Sequence, residues 1–301
     1  MTHSDNRAVR REESRQARQI HGGAWGYFLA SLGVRLSRVP IPSRSLRERV
    51  FRTVYGRKYL ALDETELDRP LSDFRSFNEL FTRGVRAECR PIERLGDRLV
   101  CPCDGIVQDI GALRGDTLLT VKNIAYPIDA LFPGMDNSAL IGGQFAILFL
   151  SPADCHRVFA PDAGVIRAIA HIPGRRLLVH PPYQRPEFPV FTLNERLVIR
   201  VSTERGEYAL AMVAGWGVGH ITHPPGTLTS WTHARLSHHK VTRADNPSDG
   251  QVERGQWIAT FELGSTVVLV AARSMNATPL VAAGQRVAYG QPIFDTDPPH
   301  E

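Results

Sequence analysis

Eight short apolar stretches, set apart by Gly, Pro, Asn and Asp, restrict what this chain can fold into. They are Gly105–Ile110, Thr117–Val121, Phe145–Leu150, Gly164–Ala170, Leu197–Val201, Tyr208–Ala214, Trp257–Phe261 and Thr266–Ala271. Each is short and rich in β-branched or aromatic side chains, which favour a pleated, half-buried surface. Their spacing argues for a mainly antiparallel β domain of barrel or sandwich type. Ahead of them the pattern is helical. After Pro40 and Pro42, Ser43 is placed to cap a helix ending near Gly56, and Ser76 to Glu79 has the form of a capping box. The class expected is α+β, with amino-terminal helices followed by the β domain. The His-, Thr-, Ser- and Pro-rich segment from Thr222 to Gly250 is expected to be a long surface loop or a short helix.

Charge is unevenly spread. Residues 1–60 hold thirteen Lys and Arg against four Asp and Glu, a net of +9, while the whole chain carries +5. The rest is therefore about −4 by difference, so the basic character belongs to the amino-terminal segment. Nucleic-acid proteins more often carry basic and aromatic residues through the folded domain. An anionic membrane surface fits better, at roughly 1 kcal/mol for each Lys or Arg close to it. Residues 1–19 read as a mobile polar tail. The apolar run Ala24–Val34 is too short to span a bilayer and lacks a clear small-residue cleavage site, so neither a membrane span nor a signal peptide is expected. In the helix after Ser43, Leu46, Val50, Phe51, Val54 and Tyr55 share a face, while four arginines lie largely elsewhere. That face either lies in the lipid headgroups or packs on the domain, and the two readings are compatible. Four cysteines without zinc-type spacing point to reduced thiols and no metal.

The segment Phe261-Glu262-Leu263-Gly264-Ser265-Thr266-Val267-Val268-Leu269-Val270 reads as one strand running into another, with Gly264 and Ser265 at the join. One reading is a β-bulge whose serine bonds to backbone. The other is self-processing. In it the Ser265 hydroxyl attacks the Gly264 carbonyl, the resulting ester breaks by β-elimination, and hydrolysis leaves a pyruvoyl group at a new amino terminus. The residues alone leave both readings open.

Leu263-Gly264-Ser265-Thr266, with Gly255 and Phe261 before it and Val267–Val270 after it, resembles the maturation site of phosphatidylserine decarboxylases. Similarity continues through Phe77-Asn78-Glu79-Leu80-Phe81-Thr82-Arg83, Arg90-Pro91-Ile92, Asp104-Gly105, Ser151-Pro152-Ala153-Asp154-Cys155-His156-Arg157 and Asn194-Glu195-Arg196. The resemblance implies a proenzyme. Residues 1–72 would be the tail and membrane-associating helices, and residues 73–301 the decarboxylase domain. Cleavage would give a β chain of 1–264 and an α chain of 265–301, held together because their strands share one sheet. It implies conversion of phosphatidylserine to phosphatidylethanolamine and CO2 in phospholipid biosynthesis, by a peripheral protein at the cytoplasmic face of the membrane. The pyruvoyl group formed from Ser265 is the implied cofactor. Asp104 takes the family's triad aspartate, and His156 is the residue linked to decarboxylation, with Asp154 as its orienting partner if the two share a strand face. Lys122 and Tyr126 align ahead of a substrate-side loop, although a solvated lysine is the plainer reading. A homodimer is an open alternative for the assembly.

One position departs from the family. Its histidine motif carries a second histidine three residues on, the triad base, and here that residue is Phe159. Another histidine takes over, or strain with Asp104 or Asp154 alone drives slow cleavage, or the chain does not mature. The first is preferred, through His220 in Gly217-Val218-Gly219-His220-Ile221, with His223 close behind. Two further readings are a pyruvoyl decarboxylase of a free amino acid and a non-processing membrane-bound homologue.

Overall fold

The computed structural model describes residues 35–56, 62–94, 96–120, 122–175, 177–215, 221–224, 241–262 and 265–296, with 8, 9, 11, 12, 14, 15 and 32. The preferred His220, together with Leu263 and Gly264 of the maturation motif, lies outside the described residues.

The architecture is α+β, with few helices and many antiparallel strands. A nine-stranded sheet dominates. Its order is Thr242–Asp245, Gly164–Ile172, Arg196–Thr203, Gly206–Ala214, Ser265–Ala271, Gln144–Leu150, Gly105–Ala112 and Arg286–Val287, with Gln251–Val252 also on Gly164–Ile172. The sheet does not close into a barrel, and three smaller sheets lie beside it in a sandwich-like arrangement. All seven residues of Ser265–Ala271 are buried, which explains a continuous β-branched run where a half-exposed strand would alternate. Its register runs unbroken from Ser265 to Ala271 against both neighbours.

The eight apolar stretches all contain strands, several extended by a residue or two. The two strands read around Phe261–Val270 are both present, and they belong to different sheets. Trp257–Phe261 pairs with Arg157–Phe159 and Ile221–Thr222 in a separate three-stranded sheet, so the chain changes sheets between Phe261 and Ser265. The polar segment from Thr222 to Gly250 is not all loop. Thr242–Asp245 pairs with Ala168–His171 as an outer strand whose side chains are largely exposed, so no apolar alternation marks it.

Both expected helix starts are present. Ser43 Oγ accepts from the Leu46 amide, and the helix runs Arg44–Tyr55 up to Gly56. Its Phe51 is fully buried with Leu67, Leu71, Phe74 and Leu80, while Leu46 stays exposed. Ser76 Oγ accepts from Glu79 N at 3.1 Å, and Glu79 returns to Arg75 N at 2.7 Å, one residue before the usual capping-box partner.

Candidate active site

Ser265 opens the central strand opposite Leu150 on one side and Ala214 on the other, and it is fully buried. Its Oγ lies 3.4 Å from Nδ1 of His156. That contact is long for a resting hydrogen bond and typical of catalytic groups before they engage. Two contacts fix the imidazole. Nε2 lies 3.1 Å from the Ser151 carbonyl oxygen, and the Phe81 ring stacks on it with centroids 3.8 Å apart. The backbone is held as well, the His156 carbonyl accepting from Phe261 N at 2.9 Å.

Asp154 and His156 do not share a strand face, as an extended 154–156 would require. The segment turns instead, because the Asp154 carboxylate reaches back to Ser151 N at 2.6 Å and Ser151 Oγ at 2.7 Å. Asp154 N also donates to the Ser151 carbonyl at 3.0 Å, and the second carboxylate oxygen pairs with Arg286. Asp154 and His156 therefore converge on Ser151 rather than on each other.

Burial, then repulsion from the Arg83 guanidinium, pushes the His156 imidazole down to about 3, against the pull of the Ser151 carbonyl. The ring is neutral at physiological pH. Its folded value lies below the ordinary 6.5, so the unfolded chain binds the proton first as pH falls. Stability from this group is complete above 6.5 and is lost toward 3, by at most about 1.4 kcal/mol per pH unit. Between pH 7 and 5, denaturant unfolding should show Ser265→Ala protein losing about 2 kcal/mol more than the same protein carrying His156→Phe. Equal losses would contradict the burial argument.

Asp104 is buried and accepts from Arg90 Nε at 3.1 Å, Arg90 Nη2 at 2.9 Å and the Tyr289 amide at 2.9 Å. Arg90 also grips Glu66 through two hydrogen bonds of 2.9 and 2.8 Å. Gly105 follows Asp104 at φ +152°, and a Cβ there would stand 2.4 Å from the Phe149 carbonyl oxygen, so this Asp-Gly pair cannot exchange its glycine. Phe159 stacks on Tyr289 with centroids 3.8 Å apart, in a small cluster with Cys155. Asp104 and Phe159 thus meet the same residue, Tyr289, through its amide and its ring.

Asn194-Glu195-Arg196, to which the sequence assigns no role, proves to be scaffold. The Asn194 side chain donates to the Leu177 carbonyl at 2.8 Å and the Ala214 carbonyl at 2.9 Å, and accepts from Leu177 N at 3.0 Å. Ala214 is the partner of Ser265, so Asn194 braces the strand end at the site. Arg196 donates to the carbonyls of Leu131, Ala130, Thr192 and Asn194, and burial pushes it down to about 10. Asn194→Ala leaves three buried backbone groups unpaired and should cost about 2–4 kcal/mol in chemical unfolding. A loss below about 1 kcal/mol would mean that these groups find other partners.

The remaining candidates have other partners. His223 Nδ1 is 2.6 Å from the Ile258 carbonyl. Exposed Lys122 donates to the Pro181 carbonyl at 2.5 Å, and buried Tyr126 stacks on Phe191. Burial pushes the thiols of Cys101 and Cys155 up to about 12. Among the described residues no His, Cys, Asp and Glu converge as a metal site. A groove of about 970 Å³ around Asp162, Arg205 and Arg254 sits where Thr203 pairs with Gly206. That is the far end of the strand from Ala214, more than roughly 20 Å from Ser265 at strand spacing.

The family model described as phosphatidylserine decarboxylase matches residues 77–295. The chain belongs to the phosphatidylserine decarboxylase family. A phosphatidylserine decarboxylase proenzyme of Blochmanniella pennsylvanica is 33% identical over 215 residues, covering 69% of this chain and 73% of the relative. One from Halorhodospira halophila is 35% identical over 244 residues, 81% of this chain and 80% of the relative. One from Anaeromyxobacter is 34% identical over 259 residues, 85% of this chain and 89% of the relative. Within this family's fold the structure brings together Ser265 and His156, with Asp154 one step behind through Ser151. Reasoning from sequence missed Arg90 as the partner of Asp104 and the Ser151 carbonyl as the partner of His156. The first left a trace in Arg90-Pro91-Ile92; the second, a backbone atom, has no sequence signature.

Proposed function

We propose that this carboxy-lyase is a self-processing, pyruvoyl-dependent enzyme converting phosphatidylserine to phosphatidylethanolamine and CO2 at the cytoplasmic face of the cell membrane. The observation that carries the reading is a fully buried Ser265 with its hydroxyl against the neutral imidazole of His156, directly after Gly264 in sequence. Cleavage there would give chains of 1–264 and 265–301. The second would remain in place without a covalent bond, because Ser265–Ala271 is held between Gly206–Ala214 and Gln144–Leu150.

Residue 265 is the serine that a pyruvoyl group must come from, and it already touches a side chain able to exchange a proton, so the site suits the group. Once formed, a pyruvoyl group supplies a ketone, conjugated with a carbonyl, that accepts the electrons released with CO2. His156 is the residue placed to move a proton beside position 265. Phe81, stacked on its ring, and the closed strands around Ser265 keep water from competing.

Membrane docking is supported at the amino-terminal end. Leu32, Leu36, Val39 and Leu46 are exposed, and Arg38 pairs with Glu262 at 2.5 Å, which ties this segment to the chain three residues before Ser265. Among the described residues no helix is long and apolar enough to cross a membrane. The exposed apolar side chains beside basic ones suit surface insertion. The test is CO2 release from phosphatidylserine vesicles against free serine at equal concentration. Release from the vesicles with a background rate on free serine is expected. The reverse preference would overturn the substrate assignment.

A further inference from the structure

We infer that His156 is itself the base for self-cleavage, with the backbone carbonyl of Ser151 in the orienting role that a carboxylate fills in a serine–histidine–aspartate triad. The inference rests on the self-processing reading above and assigns the step that Phe159 leaves without a base.

The tautomer decides the matter. A carbonyl oxygen can only accept, so the 3.1 Å contact between Ser151 O and Nε2 places the ring proton on Nε2. Nδ1 then carries the lone pair, and it is Nδ1 that lies 3.4 Å from Ser265 Oγ, so the serine hydroxyl donates to the histidine. Nothing in this relay passes through Asp104, whose oxygens are occupied by Arg90 and the Tyr289 amide. Position 159 is filled by a phenyl ring stacked on Tyr289. The turn that presents the Ser151 carbonyl is locked from behind by Asp154, itself paired with Arg286. Burial keeps the imidazole neutral, so the accepting nitrogen is available throughout the physiological range.

The step runs as follows. His156 Nδ1 takes the Ser265 hydroxyl proton as Oγ bonds to the Gly264 carbonyl carbon. The Gly264–Ser265 C–N bond then breaks, and the proton passes from Nδ1 to the departing nitrogen, leaving an ester and a free amine. The Ser265 Cα proton is lost to the departing Gly264 carboxyl group as the Cβ–Oγ bond breaks, leaving a dehydroalanine. Its enamine tautomerises, an N–H proton moving to Cβ, and one water adds to the resulting C=N carbon and expels the nitrogen as ammonia, to give the ketone. No oxidant or reductant is needed.

The experiment follows conversion of freshly made full-length protein by intact mass spectrometry for wild type, His156→Ala and His156→Gln. Gln keeps a donor for the Ser151 carbonyl but has no proton-accepting nitrogen. Ser265→Ala supplies the folded, uncleaved standard for thermal melting. Both His156 variants should melt as cooperatively as that standard, His156→Ala at a lower temperature because it empties a fully buried ring site. Both should cleave at least 100-fold more slowly than wild type, the lower bound for loss of a general base. Cleavage of either within threefold of wild type overturns the inference and leaves the self-processing reading intact, whereas an uncleaved wild type overturns both. If the variants do not fold, histidine-selective 15N NMR of Ser265→Ala protein decides. An Nε2-protonated His156 supports the assignment, and an Nδ1-protonated one overturns it.

Discussion

Ser265→Ala is expected to yield one uncleaved chain of 33.5 kDa and to reduce CO2 release from phosphatidylserine by at least about 10⁴-fold. The size of the effect follows from the double use of one residue. On the proposed route the residue whose hydroxyl attacks the chain also supplies the carbon skeleton of the group that later accepts electrons, so its loss would remove both processing and chemistry. The fold should barely notice. Ser265 makes its strand pairings through backbone atoms that alanine keeps, and its Oγ contact to His156 is long at 3.4 Å. A gel shows the chain pattern and labelled phosphatidylserine the rate. A short chain from the alanine variant would contradict the assignment of the attacking group.

Arg90→Ala should produce the largest loss of stability, about 3–5 kcal/mol. The guanidinium bridges Asp104, whose side chain is only 5% exposed, and Glu66, whose side chain is 36% exposed. Burial alone would lower the Arg90 pKa, yet the hydrogen bonds to Glu66 and Asp104 outweigh it and raise it above the ordinary arginine value. Removing the cation strands a buried carboxylate with only the Tyr289 amide as partner. The exposed Glu66 arm contributes little, since water replaces its partner. Loss of 3–5 kcal/mol from a domain of this size lowers the melting temperature by roughly 6–20 °C. Arg90→Lys keeps a charge without the fork and should recover less than half of the loss. A shift under about 2 °C for Arg90→Ala would show that Asp104 does not depend on this pair.

The strands legible in the sequence are those whose burial leaves a run of apolar residues, such as Phe145–Leu150 and Thr266–Ala271. Strands of two to four residues, among them Arg157–Phe159, Thr242–Asp245 and Arg286–Val287, are too short to carry a period and exist because a neighbour offers hydrogen bonds. Chemistry was legible where it resides in side chains of a distinctive motif. Ser265 and His156, both in such motifs, lie 3.4 Å apart, although the sequence resemblance links His156 to decarboxylation and the expected self-processing base is His220. The turn at 151–154 was not legible, because the contact that makes it, Asp154 folding back on Ser151, leaves no period in the sequence. The Ser151 carbonyl could not have been found by residue type at all.

The most direct measurement is the intact mass of the purified wild-type protein under denaturing conditions. Two chains are predicted, 1–264 and 265–301, the shorter one lighter by one ammonia than a chain beginning with serine and shifted further by hydroxylamine. A single unbroken species from folded protein, or a short chain that still begins with an unmodified serine, would contradict the account.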